Sequence, residues 1–203
     1  MASRPNRPIA HPRQLRAVAS PVRQEILDLL ARGGPMTAAE LGRLLRRPAD
    51  GLYYHLRALR NVGLIAEELA ASANGRSEAR FRTVAREPAL RHDPSPKGNT
   101  KEITAIVASM LRLGGRDFRV AAANPSVRTE GPRRELWALR AVGWLSPDDL
   151  GGVNAKMQAL RDAVARRPSG GQLYGVTILL TPLSHRGRKP QRRPRAPRGK
   201  GSS

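Results

Sequence analysis

The 203-residue chain predicts an α+β fold: a head of three short helices closed by a β-hairpin, then a small α-β-α-β module, with disordered basic tails at both ends. Three observations predict it. Apolar residues recur at helical spacing between about residues 22 and 62. Asn74-Gly75, the strongest short hairpin signal, follows at once. Residues 86–99, with three prolines and a glycine, then interrupt all periodicity before it resumes at 100. The expected division is a flexible basic arm over 1–12, a head over 13–85, a linker over 86–99, a C-terminal module over 100–183 and a basic tail over 184–203.

In the first helix, over 22–31, Val22, Ile26, Leu29 and Leu30 form one apolar stripe, and Gly33-Gly34 stops it. Thr37 and Glu40 then have capping-box spacing, with Met36 and Leu41 placed as a hydrophobic staple. The short second helix carries Leu41, Leu44 and Leu45. After Arg46-Arg47-Pro48 a third helix buries Leu52, Leu56 and Leu59 and ends at Gly63 in the C′ role. Residues 64–71 read as a strand, and Phe81 lies in the returning strand with Arg80 and Arg82 facing the other way. Three helices and a hairpin in this order make a winged helix-turn-helix.

Charge points to a polyanionic partner. The formal net charge is +21, an imbalance that favours nucleic acid. Residues 1–16 and 184–203 hold twelve Lys/Arg and no acid, so residues 17–183 carry only +9. The absence of cysteine excludes disulfides and thiolate metal sites. No run of 18 apolar residues occurs and the first residues lack an apolar signal centre, so a cytoplasmic location is expected. There is no P-loop, dinucleotide fingerprint, Ser-His-Asp arrangement or carboxylate cluster, so neither an enzyme nor a cofactor is expected.

A helix lying in a major groove needs a small or polar outward face, flanked by cations that reach phosphates. The residues in position are Arg46, Arg47, Asp50, Tyr53, Tyr54, Arg57 and Arg60, with Asn74, Arg76 and Arg80 on the hairpin. Each has a plainer reading: the tyrosines as surface packing, the arginines as solvated charges, Asp50 as a helix N-terminal acid. His55 reads as a packing histidine beside Leu52, Leu56 and Leu59.

The stretch LRAVASPVRQEILDLLARGGPMTAAELGRLL, followed by LYYHLRALRNVGLI, resembles the ArsR-type winged-helix transcriptional regulators over about 70 residues. The resemblance implies sequence-specific binding of double-stranded DNA, usually by a homodimer that represses transcription. Metal sensing is not carried over, because the family's Cys ligands are missing and the four His show no ligand spacing. Tyr53-Tyr54 also replaces the commoner small polar residues, which leaves base preference open.

In the second half, residues 100–123 read as a helix that Gly114-Gly115 is placed to break. Ser146-Pro147-Asp148-Asp149 begins another. Along it Leu150, Val153, Met157, Leu160 and Val164 recur at spacings of 3 and 4, an a/d seam suited to dimerisation. Residues 172–181 alternate as a strand, with 133–145 as its expected partner, although Leu136, Leu139 and Val142 suit a helix nearly as well. The module serves either dimerisation or an unknown small-molecule effector. For the whole chain, the reading as a regulator has a rival in a nonspecific architectural, nucleoid-type protein, which the basic tails favour.

Overall fold

A computed structural model describes residues 8–71, 77–85, 90–166 and 171–183. Among the described residues nine elements follow one another: α1 (Pro12–Val18), α2 (Pro21–Gly33), β1 (Met36–Thr37), α3 (Ala38–Leu45), α4 (Ala49–Asn61), β2 (Ile65–Ala71), β3 (Ser77–Thr83), α5 (Thr100–Ala122) and α6 (Pro147–Ala165). The strands form an antiparallel sheet in the order β1-β3-β2.

The head contains one helix more than the sequence suggested. His11 Nδ1 accepts from the Arg13 amide and Pro12 opens α1, which buries Leu15, Ala17 and Val18. The chain breaks at Ala19-Ser20, and Pro21 starts α2. The expected arm is therefore held from residue 8 onward. Ile9 lies in the core, and its carbonyl accepts from the Arg91 amide at 3.0 Å. Residues 1–7 and the tail 184–203 lie outside the described residues.

The other local signals form as read. Helix α2 buries Ile26, Leu29 and Leu30 and ends where Gly34 adopts φ +81°. Both halves of the Thr37–Glu40 capping box are made, at 3.1 and 2.8 Å. Helix α4 buries Leu52, Leu56 and Leu59. It closes in a Schellman motif, with Leu64 N–H on the Leu59 carbonyl and Gly63 N–H on the Arg60 carbonyl. Strand β1 is new: two residues are too few to show alternation, yet Met36 and Thr37 pair with Phe81 and Arg80. The hairpin tip, 72–76, with the Asn74-Gly75 signal and Arg76, lies outside the described residues.

Beyond the head three expectations change. Helix α5 runs unbroken through Gly114-Gly115. It also joins the head rather than a separate module: Ile106 is 1% exposed in the same core as Ile26 and Leu56, flanked by Ile103 and Met110. Gln24 of α2 donates to the Ile106 carbonyl at 3.3 Å. The two strands of the α-β-α-β module do not form. Residues 133–145 and 171–183 are irregular, and their described contact is the Tyr174 hydroxyl donating to Glu135 at 2.7 Å. A strand exists through its ladder, and in one chain neither segment has one. Helix α6 starts at Ser146-Pro147 as expected, with a Ser146–Asp149 capping box in addition, but none of its residues is buried.

Because α5 shares the head's core, Ile106→Ala should lower the head's unfolding free energy by about 2–5 kcal/mol, the usual cost of a large-to-small core change. Urea denaturation followed by circular dichroism checks this. An unchanged midpoint would mean that α5 folds apart from the head.

Candidate nucleic-acid interface

The interface is built by the turn between α3 and α4. Arg46 closes α3 in the left-handed region at φ 52°, and the Arg47 amide donates back to the Gly42 carbonyl at 2.9 Å. Gly42 is required there: a Cβ would stand 2.7 Å from the Arg47 carbonyl oxygen. This turn sends α4 off with its leucines inward and the opposite face in solvent. On that face Asp50, Tyr53, Tyr54, Arg57 and Arg60 are all exposed. Their spacing of 3, 1, 3 and 3 makes one continuous strip along the helix.

Beside the strip, Gly42, Arg43, Arg46, Arg47, Pro48 and Ala49 line a shallow concavity of about 430 Å³. Three guanidinium groups surround it. Arg43, one turn before the bend, was not singled out from the sequence, although a basic residue just before an Arg-Arg-Pro turn is a signal that could have found it. Arg47 also approaches Glu25 of α2, at 3.9 Å. Glu25 is mainly held by Arg116 of α5, at 2.6 Å. Hydrogen bonds to Glu25 and then to Asp117 push the Arg116 pKa up, so this link between α2 and α5 stays charged.

Two of the sequence-chosen arginines are occupied within the fold. Arg80 is not at the hairpin tip but in mid-strand, opposite Glu68 and Thr37. Its guanidinium donates to both carboxylate oxygens of Glu40, at 3.1 and 2.9 Å. Arg60 pairs with Glu67, and Arg82, never a candidate, with Glu68. The sequence could not reveal these pairs, because they depend on strand register and on how α3 and α4 meet the sheet. Asn74 and Arg76 lie outside the described residues.

His55 is half-buried, and its edge meets the Tyr54 ring at a centroid separation of 5.3 Å. Burial, then Arg23 and Arg47, hold its pKa below the ordinary imidazole value, so it is neutral near pH 7. That fits the packing role. Among the described residues no group of acids and histidines could hold a metal ion, and no helix is long and apolar enough to cross a membrane.

An exposed polar helix set by a tight turn behind a capped helix, with a hairpin beside it, defines a winged helix-turn-helix, a DNA-binding class of fold. The family comparison agrees: residues 18–68 match a family described as a helix-turn-helix domain, and this segment is a helix-turn-helix domain of the ArsR-like kind. The domain implies DNA binding and is typical of regulators that are not enzymes. No match is found among curated proteins.

Glu40 supplies a pH test. Its pKa is lowered, first by the Thr37 backbone amide and then by Arg80, with burial opposing. A carboxylate with a folded pKa below its unfolded one stabilises fully above the unfolded value, and loses that stabilisation as pH falls through the folded value. Glu40→Gln should thus cost on the order of 0.5–1 kcal/mol at pH 7, a size set by solvent screening of a partly exposed pair. The difference from wild type should shrink as pH drops below about 4. Urea midpoints of both proteins at pH 7 and pH 3 check it; an equal gap at both values would mean that the ionised carboxylate does not contribute.

Proposed function

We propose that this protein is a sequence-specific transcriptional regulator, acting as a homodimeric repressor, in which α4 reads base edges in the major groove. The observation that carries the reading is the outward strip of α4. It holds two tyrosines and two arginines that contribute nothing to the core, directly beside the concavity ringed by Arg43, Arg46 and Arg47. Tyr53, Tyr54 and Arg57 face bases or the groove wall, with Asp50 at the entering end. The three turn arginines take phosphates, whose contacts position a protein without reading sequence. Arg60 and Arg80 serve mainly to hold the wing, through Glu67 and Glu40. Asn74 and Arg76 are proposed to touch the DNA backbone from the wing tip. The second copy is proposed to join through the α6 seam of Leu150, Val153, Met157, Leu160 and Val164.

One observation favours the alternative of a nonspecific architectural protein: more than half of the net charge lies in 1–16 and 184–203. The two readings separate on selectivity. Regulators prefer their site over random DNA by roughly 10³–10⁷. Selection of bound duplexes from a random pool at physiological salt decides between them: an enriched inverted repeat supports the regulator, and an unenriched pool supports the architectural protein.

On a selected site, Tyr53→Ala combined with Tyr54→Ala should cost about 1–3 kcal/mol per lost base contact, and little on scrambled duplex. Paired titrations measure the difference, and equal losses on both duplexes would remove α4 as the reader.

Arg46→Gly should move two quantities in opposite directions. A left-handed non-glycine residue costs about 1–2 kcal/mol, so the glycine variant should gain stability by up to that amount. It should bind both duplexes more weakly, with the slope of log K against log salt shallower by about 0.9. Thermal denaturation and a salt series of titrations report the two effects separately; an unchanged slope would mean that Arg46 contacts no phosphate.

A further inference from the structure

The second half of the chain exposes far more apolar surface than an isolated polypeptide keeps. Trp137, Leu139, Val142, Trp144 and Leu145 are exposed before α6, and Leu173, Tyr174, Val176, Ile178, Leu179, Leu180 and Leu183 after it. With Leu150, Leu160 and Val164 of α6, fifteen large apolar side chains between residues 137 and 183 stand 38–86% exposed, where a standard specific interface takes roughly 20–30 residues a side.

The segment 171–183 has two further properties. None of its backbone groups is hydrogen-bonded to the backbone of another described residue. Yet residues 172–181 are rich in β-branched and aromatic side chains and contain no proline, which is the composition of a strand. It also holds no Asp, Glu, Lys, Arg or His across thirteen residues, in a chain of which 26% is charged. Its place is partly set by its own chain: Tyr174 reaches Glu135, and Thr177 lies against Gly114 of α5, where a glycine Cβ would meet the threonine hydroxyl at 3.4 Å. The result is a segment held at two side chains whose backbone groups find no backbone partner among the described residues, a template for strand addition.

We infer that the occupant of this surface is a second copy of the chain, joined by antiparallel pairing of residues 172–181 across a two-fold axis, with α6 and residues 136–145 packed around that pair. Self-pairing needs no complementary partner surface, because a two-fold axis sets each strand against itself. It also answers the charge problem. Two chains of +21 repel each other, and residues 171–183 let them meet without placing like charges opposite one another. The pairing would give both segments the ladder that a single chain withholds.

This inference deepens the homodimer named in the proposed function by placing the strand pair at its centre with the α6 seam packed beside it, but its test uses no DNA. Failure of DNA selection therefore leaves it standing, and its failure leaves half-site reading by α4 intact. Sedimentation velocity of the full chain at micromolar concentration should give a dimer. Val176→Lys with Ile178→Lys should weaken association at least about 100-fold, by setting buried like charges across the strand pair. The head's melting temperature should not change. A monomeric wild type, or a double variant that stays dimeric, overturns the inference.

If the double variant loses its folded head, a cysteine scan decides instead, since the chain has no cysteine of its own. Single cysteines at Gln172, Tyr174, Val176, Ile178 and Leu180 should form an interchain disulfide under mild oxidant at one or two adjacent positions, falling off on either side. No cross-link at any position overturns the proposal. Cross-linking confined to a cysteine at Met157 would return the centre of the interface to α6 and overturn it equally.

Discussion

The close approach of Gly42 to the Arg47 carbonyl governs the geometry of the helix-turn-helix head. A hydrogen atom in place of a Cβ lets the α3 backbone meet the start of the next segment, and Arg46 takes the left-handed conformation that reverses the chain. The angle between α3 and α4 follows from those two residues. From that angle follow the burial of Leu52, Leu56 and Leu59 against α2 and the exposure of the opposite face. The same turn gathers Arg43, Arg46 and Arg47 around one concavity. A side chain at position 42 would push the two helices apart and disperse both features together.

The head's acids act mostly as ties. Glu40 caps α3 and grips Arg80 in the sheet, Glu67 holds Arg60, Glu68 holds Arg82, and Glu25 holds Arg116 while lying near Arg47. Pairs at this exposure contribute little stability each, but they decide which cations remain available. Arg43, Arg46 and Arg57 have no ion-pair partner among the described residues, and all three lie at the turn or on the outward strip of α4. These three arginines keep their charge free at the surface proposed to meet DNA. Glu25 also gives α5 a polar connection to the beginning of α4, in addition to the apolar one made by Ile106.

The two halves of the chain satisfy the hydrophobic effect differently. Up to about Met110 most apolar side chains are buried within the chain, Leu44 and Leu69 being exposed, and Ile9, Leu15, Ile26, Leu56, Phe81 and Ile106 enclose one core. After that point the same residue types stay at the surface. The sequence is no less patterned there: α6 has a capping box at its start and a 3-4 spacing along its length. This pattern without burial in a single chain is the observation behind the proposed dimer.

By itself the sequence determined what depends on neighbours a few residues apart. The Thr37–Glu40 box, the Gly34 and Gly63 stops, the leucine stripe of α4 and the Ser146–Asp149 start are local, since each rests on one helical turn. The outward strip of Asp50, Tyr53, Tyr54 and Arg57 was legible for the same reason: once the buried stripe is known, the remaining face is known. Only the tertiary structure decided the rest. It split off α1, made Met36-Thr37 a third strand, carried α5 into the head and withheld a strand ladder from residues 133–145 and 172–181. It also paired Arg80 and Arg60 with Glu40 and Glu67. Those outcomes depend on which residues distant in sequence arrive side by side, and neither periodicity nor charge count along a chain contains that information.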